Sequence, residues 1–244
     1  ADGNLKDPEL APRLEAEYRL GAEAARALLR YLEAQRSATG TLPHRHRLVV
    51  ERVTDPQGKG ERTQTILHTF WGGRVNRPFA MALQGAWRKK YGEPLEVIHD
   101  DDCVVVTAPG PVGADELLGL VSADSLEGLL REQLESTGFF GARFRAAAGC
   151  ALLLPREGFR RRTPLWLSRQ RAKELLESVR RFEDFPIVLE AWRTCLADEL
   201  DLDHLRLVLD ELRDGRTEVR EVTTAAPSPF AAGVSWKRTN ELMY

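Results

Sequence analysis

The stretch HTFWGGRVNRPFAMALQGAWRKKYG, residues 68–92, decides how the chain is read. A β-type run reaches Phe70 and Trp71, and two glycines then turn the chain. Beyond the turn Phe79, Leu83, Trp87 and Tyr91 recur every four residues, which predicts one stripe of an amphipathic helix. Its other side carries Arg88, Lys89 and Lys90, and Gly92 and Pro94 stop it. A strand, paired glycines and a helix in this order resemble phosphate-cradling loops, where backbone N–H groups and the helix dipole face an anion. The likeness is incomplete, because GGRVNRP is neither GxxxxGK[ST] nor GxGxxG and no GKS or GKT occurs in the chain. What remains is Asn76 placed to cap the helix, Pro78 tolerated in its first turn, and Arg74 and Arg77 beside a partially positive N-terminus. A capped turn with solvated arginines and a seat for a backbone phosphate both fit this pattern.

On the N-terminal side, RLVVERV and RTQTILHTF are β-type runs separated by the polar turn TDPQGKGE, which predicts an antiparallel pair, 47–53 with 62–70. On the C-terminal side, LEVIH and CVVVTAP flank the acidic turn DDD and predict a second pair, 95–99 with 103–107. Before the sheet, DPELAPRLEAEY and AEAARALLRYLEAQ read as two helices broken at Gly21. After Ser122 the pattern turns helical through five segments ending at LDHLRLVLDELRDG, with one short β-type run, TEVREVTT, behind them. The fold class expected is α+β, a small and mainly antiparallel sheet with a crossing helix, followed by a helical module. The divisions are a helical segment over 1–41, a sheet module over 42–121 and a mainly helical module over 122–244, the last two free to share one core.

With 244 residues, 43% of them apolar, the chain can bury a sizeable core, and a formal net charge of -2 announces no nucleic-acid or membrane partner. Cys103, Cys150 and Cys195 are odd in number and widely spaced, which excludes a disulfide framework and a zinc site and predicts buried thiols in a reducing compartment. His99 and Asp100 to Asp102 are consecutive, so on a strand they alternate between faces and cannot converge on one ion. His44 and His46 read as surface residues. No GxSxG, HExxH or nucleophile with an adjacent base is present. No apolar run spans a bilayer and the first residues are not a signal peptide, so the expected location is cytoplasmic. Without an initiator methionine, the chain reads as a piece of something longer.

The near-zero total conceals a separation of charge. Between Arg156 and Arg181 the cations exceed the acids by six, and from Glu183 to Glu221 the acids exceed the cations by seven. Phe159 and Trp166 flank the densest basic run, Arg160, Arg161 and Arg162. Aromatic and arginine together suit a single-stranded nucleic acid, with bases stacking and guanidinium groups meeting phosphates. Packing of Trp166 in a core, with the arginines solvated, is the competing reading.

Six segments, taken in order, add a resemblance: LPHRHRLVVERV, LHTFWGGRVNRPFAMAL, GFFGARFRAAAGCALLLPR, RRTPLWLSRQRAKELLESV, FPIVLEAWRTCLADELDLDHL and PSPFAAGVSWKRTNELMY. From about Leu20 to the last residue the chain resembles the DEAD/H-associated domain that follows the motor of Lhr-type (large helicase-related) superfamily 2 helicases. The resemblance implies upstream RecA-like and winged-helix domains in the same polypeptide, translocating 3′ to 5′ on a single strand of DNA or of an RNA:DNA hybrid, close to the nucleoid. ATP and Mg would belong to those motor domains, since this chain carries no motor motif and needs no cofactor of its own. Its nucleic-acid contacts would fall on Trp71, Arg74, Asn76, Arg77, Arg88, Lys89, Lys90, Arg160, Arg161, Arg162 and Trp166. The alternative is a structural module that docks on the motor domains or a repair partner without touching nucleic acid.

Overall fold

The computed structural model describes residues 4–54, 63–135, 137–154, 164–182 and 184–234. Four strands lie where alternation and turn chemistry put them: β1 (Arg47–Val53), β2 (Thr63–His68), β3 (Glu96–His99) and β4 (Cys103–Ala108). They pair antiparallel, β1 with β2, β2 with β4 and β3 with β4. The fifth, β5 (Glu218–Thr224), is the TEVREVTT run, and it adds parallel to β1 in the order β3-β4-β2-β1-β5. The sheet is therefore mixed, and the helical half of the chain supplies one of its edges.

Helices α1 (Leu10–Tyr18) and α2 (Ala22–Thr39) precede the sheet, and α3 (Gly73–Tyr91) crosses it. Behind β4 come α4 (Ala114–Gly119), α5 (Ala123–Leu134), α6 (Gly138–Cys150), α7 (Leu165–Val179), α8 (Pro186–Arg193) and α9 (Leu202–Arg213). The segment FPIVLEAWRTCLADEL, read as one helix, widens after Arg193 into a π-helical turn, Thr194–Glu199. The short α4 has no counterpart in the sequence reading.

Because strand side chains alternate, each strand feeds two layers. Leu48, Val50, Leu67, Val104 and Val106 meet Phe79, Leu83 and Trp87 of α3 in one cluster, which continues through Leu126, Leu130, Phe140, Phe144 and Leu205. One apolar core thus runs from the sheet through the helices on both sides of residue 121. On the opposite face Ile66, Cys103 and Val105 are covered by Ala231 and Val234.

That second face also buries a polar cluster. Val49, Glu51 and Val53 alternate away from α3, so Glu51 enters the layer under the 224–231 segment and is fully buried with His68. His68 Nε2 lies 2.8 Å from Glu51 Oε2, Thr224 Oγ1 donates to Oε1 at 2.6 Å, and Ser228 donates from both N (2.8 Å) and Oγ (2.5 Å). Gln35 of α2 closes the cluster by donating to Ser228 Oγ at 3.0 Å and accepting from Phe230 N at 2.9 Å. Burial pushes the Glu51 carboxyl up. The hydrogen bonds from His68, Ser228 and Thr224 and the electrostatic pull of His68 outweigh it and hold the group below its ordinary value. Four such bonds converging on one carboxylate fasten the last described segment to the sheet.

Candidate nucleic-acid interface

The turn that opens α3 is filled by the chain itself. Gly72, at φ 83°, is the N-cap, so the helix begins at Gly73 and Asn76 lies inside its first turn instead of capping it. Gly73 N donates to Asp101 Oδ1 at 2.9 Å and Gly72 N to the Asp101 carbonyl at 2.9 Å. The anion at this helix N-terminus is therefore the Asp101 carboxylate of the β3–β4 turn. Gly72 supplies the positive φ that favours glycine, and a Cβ on Gly73 would come within 2.5 Å of Asp101 Oδ1, so that carboxylate would have to give up its seat. Asn76, fully buried, donates from Nδ2 to the carbonyls of Asp100 (2.8 Å) and Asp101 (3.1 Å).

Pro78 sits in the second turn of α3 and decides what Arg74 does. Lacking an N–H, it leaves the Arg74 carbonyl without its intrahelical donor. Asp201 N takes that place at 3.0 Å, and the Arg74 guanidinium donates to the Asp198 carbonyl at 2.9 Å. Arg74 thereby ties α3 to the wide turn before α9. Arg77 lies over the Phe139 ring, 3.9 Å from its centroid, and Trp71 stands edge-on to Phe79 at 5.5 Å. Trp71, Arg74, Asn76 and Arg77 are thus engaged within the fold.

The cations at the far end of α3 differ among themselves. Lys89 pairs with Glu132 at 2.7 Å and Lys90 with Glu116 at 2.9 Å, beside a groove of about 860 Å³ that also carries Asp115 and Asp124. Arg88 is exposed and engages no side chain among the described residues. Arg160, Arg161 and Arg162 lie outside the described residues.

Trp166 is not in the core. It stands in the first turn of α7 with 65% of its surface exposed, next to an exposed Leu165. Along the same helix, Arg169, Lys173 and Arg180 line a groove of about 640 Å³ whose other wall is α6, with Arg145. Arg169, Lys173 and Arg180 belong to the basic stretch 156–181 read from the sequence, whereas Arg145 lies outside it and joins them only because α6 packs on α7 in the fold. No group of three or more histidine, cysteine or acidic side chains suited to a metal occurs among the described residues.

Two of the three thiols are buried. Burial, then Asp100, Asp102 and Glu51, push Cys103 far above the usual thiol range, and burial pushes Cys195 up to about 11. Cys150, expected to be buried, is exposed. No described helix is long and apolar enough to cross a membrane.

Mixed sheet, crossing helix and a packed set of helices, one of them carrying an exposed tryptophan and several cations, define an α+β domain. The family model described as DEAD/H associated matches residues 42–231. The Lhr helicase/uracil glycosylase of Escherichia coli is 38% identical over 87% of this chain and 14% of its own length. The corresponding protein of Mycolicibacterium smegmatis, named as a probable uracil glycosylase, is 40% identical over 87% and 14%. The solved Mycobacterium smegmatis helicase Lhr, bound to ssDNA and AMP-PNP, superposes with a TM-score of 0.82 at 37% identity, over 93% of this chain and 29% of that one. The chain belongs to the DEAD/H associated family and is the domain of that kind found in Lhr-type helicases. It spans only about a seventh of the bacterial relatives' length.

Proposed function

We propose that the chain is a nucleic-acid-binding accessory domain of an ATP-dependent 3′–5′ helicase, lining the path of the tracking single strand and bracing the motor domains. The observation that carries this reading is the superposition over nearly the whole chain on a helicase solved with single-stranded DNA. ATP and Mg would act in the RecA-like domains that, with a winged helix, would lie upstream in the same polypeptide. The nucleic-acid partner proposed is single-stranded DNA or an RNA:DNA hybrid. The basic run Arg160 to Arg162 and the exposed Trp166 are the contacts this reading assigns first, with Arg88 as an outlying cation. A location with the nucleoid follows from the same proposal.

The test is equilibrium binding of a labelled single-stranded oligonucleotide to the chain across a salt series. If about four phosphates are neutralised, log K should fall against log salt with a slope of roughly -3. Trp166→Ala should weaken binding by about 1–3 kcal/mol, the worth of one base stacked on an aromatic ring, and leave the salt slope and the melting temperature unchanged. Absence of salt-dependent binding would contradict the reading and leave docking on the motor domains as the domain's role.

A further inference from the structure

We propose that the groove between α6 and α7 is the seat of the strand's sugar–phosphate backbone, with Arg145 and Arg169 as its anion-pairing groups. This rests on the nucleic-acid reading above and adds to it a site and named residues.

Four cations and two acids line the groove. Two of the cations are already answered: Arg180 lies 3.7 Å from Glu135, and Lys173 a long 4.0 Å from Glu177. Arg145 and Arg169 meet no acid among the described residues, and Arg145 is half-buried in the α6 wall. A guanidinium partly withdrawn from water with no counter-ion loses hydration without compensation, and an anion placed beside it restores the balance. The walls between the cations are small residues, Gly138, Gly141 and Ala142 on α6 and Ala172 on α7. A Cβ built on Gly138 or Gly141 would meet open space, so a ligand backbone can lie close to α6.

Length and direction select a chain over a single phosphate group. Trp166, Arg169, Lys173 and Arg180 follow one face of α7 at spacings of three, four and seven residues. At 1.5 Å per residue that face runs for about 21 Å. It offers guanidinium and ammonium groups in series and an exposed indole at one end. A strand with one base stacked on Trp166 and its phosphates on Arg169 and, across the groove, Arg145 fits this direction, with Lys173 and Arg180 adding field farther along while they keep Glu177 and Glu135. Every base has a face to stack, so the contact carries no sequence preference.

The experiment uses fluorescence anisotropy with an oligothymidine strand and three variants. Arg145→Gln with Arg169→Gln should cut affinity at low salt by tenfold or more and make the salt slope shallower by about 1.4, two cations at 0.7 each. Arg19→Gln with Arg30→Gln makes the same change of charge at exposed positions of the N-terminal helical segment and should leave the slope as in the parent. Gly141→Leu fills the groove without altering charge, at a helical position where leucine is favoured over glycine. It should cost at least tenfold in affinity while the chain melts no lower than the parent. Parent-like binding by Gly141→Leu, or equal losses for the two arginine pairs, would overturn the groove and leave the wider reading standing. Failure of the parent itself to bind would overturn both. Displacement of the strand by poly-glutamate at equal charge concentration would also overturn the proposal, because the groove would then be a seat for acidic peptides.

Discussion

Glu51→Gln is expected to destabilise the chain by roughly 3–5 kcal/mol, the scale for removing one partner from a buried, fully engaged charge. At about 2–4 °C of melting temperature per kcal/mol in a chain of this size, the fall should be on the order of 10 °C. An amide cannot replace the carboxylate here. His68, Thr224 and the two Ser228 groups all surround Glu51, and a neutral glutamine offers one accepting oxygen where two carboxylate oxygens receive these groups, so several of them must reorient or lose their partner. The pH dependence has a definite sign. Because the folded-state value of Glu51 is depressed, its contribution is complete above the ordinary carboxylate value of 4.5 and is lost as pH falls through the lower folded value. The parent should therefore lose stability in acid, and part of that loss should be missing from the variant. A variant melting within about 2 °C of the parent, with an unchanged acid limb, would mean that the cluster does not hold the 224–231 segment.

Trp71→Ala is the second large effect, and it separates two uses of tryptophan. Trp71 is partly buried against the main core and edge-on to Phe79, so truncation should cost about 2–3 kcal/mol of stability, less than for a fully buried indole. Affinity for an oligonucleotide, measured well below the melting transition, should not change. Trp166 should behave in the opposite way, since most of its surface faces solvent. Calorimetry and anisotropy on both variants give a crossed pattern if the assignment holds. Weakened binding by Trp71→Ala with an unchanged melting temperature would place the Trp71 indole on the nucleic acid and not on Phe79.

The elements legible in the sequence were those with local signals. Alternation and turn chemistry located β1 to β4, and the four-residue stripe of Phe79, Leu83 and Trp87 located the buried side of α3. TEVREVTT was legible as a strand, but its parallel pairing with β1 closes about 170 residues and leaves no local mark. The two glycines announced a turn. Their partner, Asp101, lies 28 residues onward from Gly73, so sequence alone left the space open to a phosphate. Asn76 was misread as the cap, and the tie of Arg74 to Asp198 was hidden, for the same reason: the acceptors they meet are carbonyls of distant segments. Glu51 was readable in principle, as a charge at an inward position of RLVVERV. The groove was not, because Arg145 and Arg169 become neighbours only when α6 packs on α7.

Contact between the α6–α7 face and nucleic acid can be read out by photo-cross-linking. A single strand carrying a photoreactive thymidine would be irradiated with the chain at low salt, and the attached peptides mapped by mass spectrometry. Cross-links are expected within residues 138–180, with the Trp166 peptide among them and its yield lost in Trp166→Ala. Cross-links confined to α1 and α2, or to the acidic stretch around α9, would contradict it.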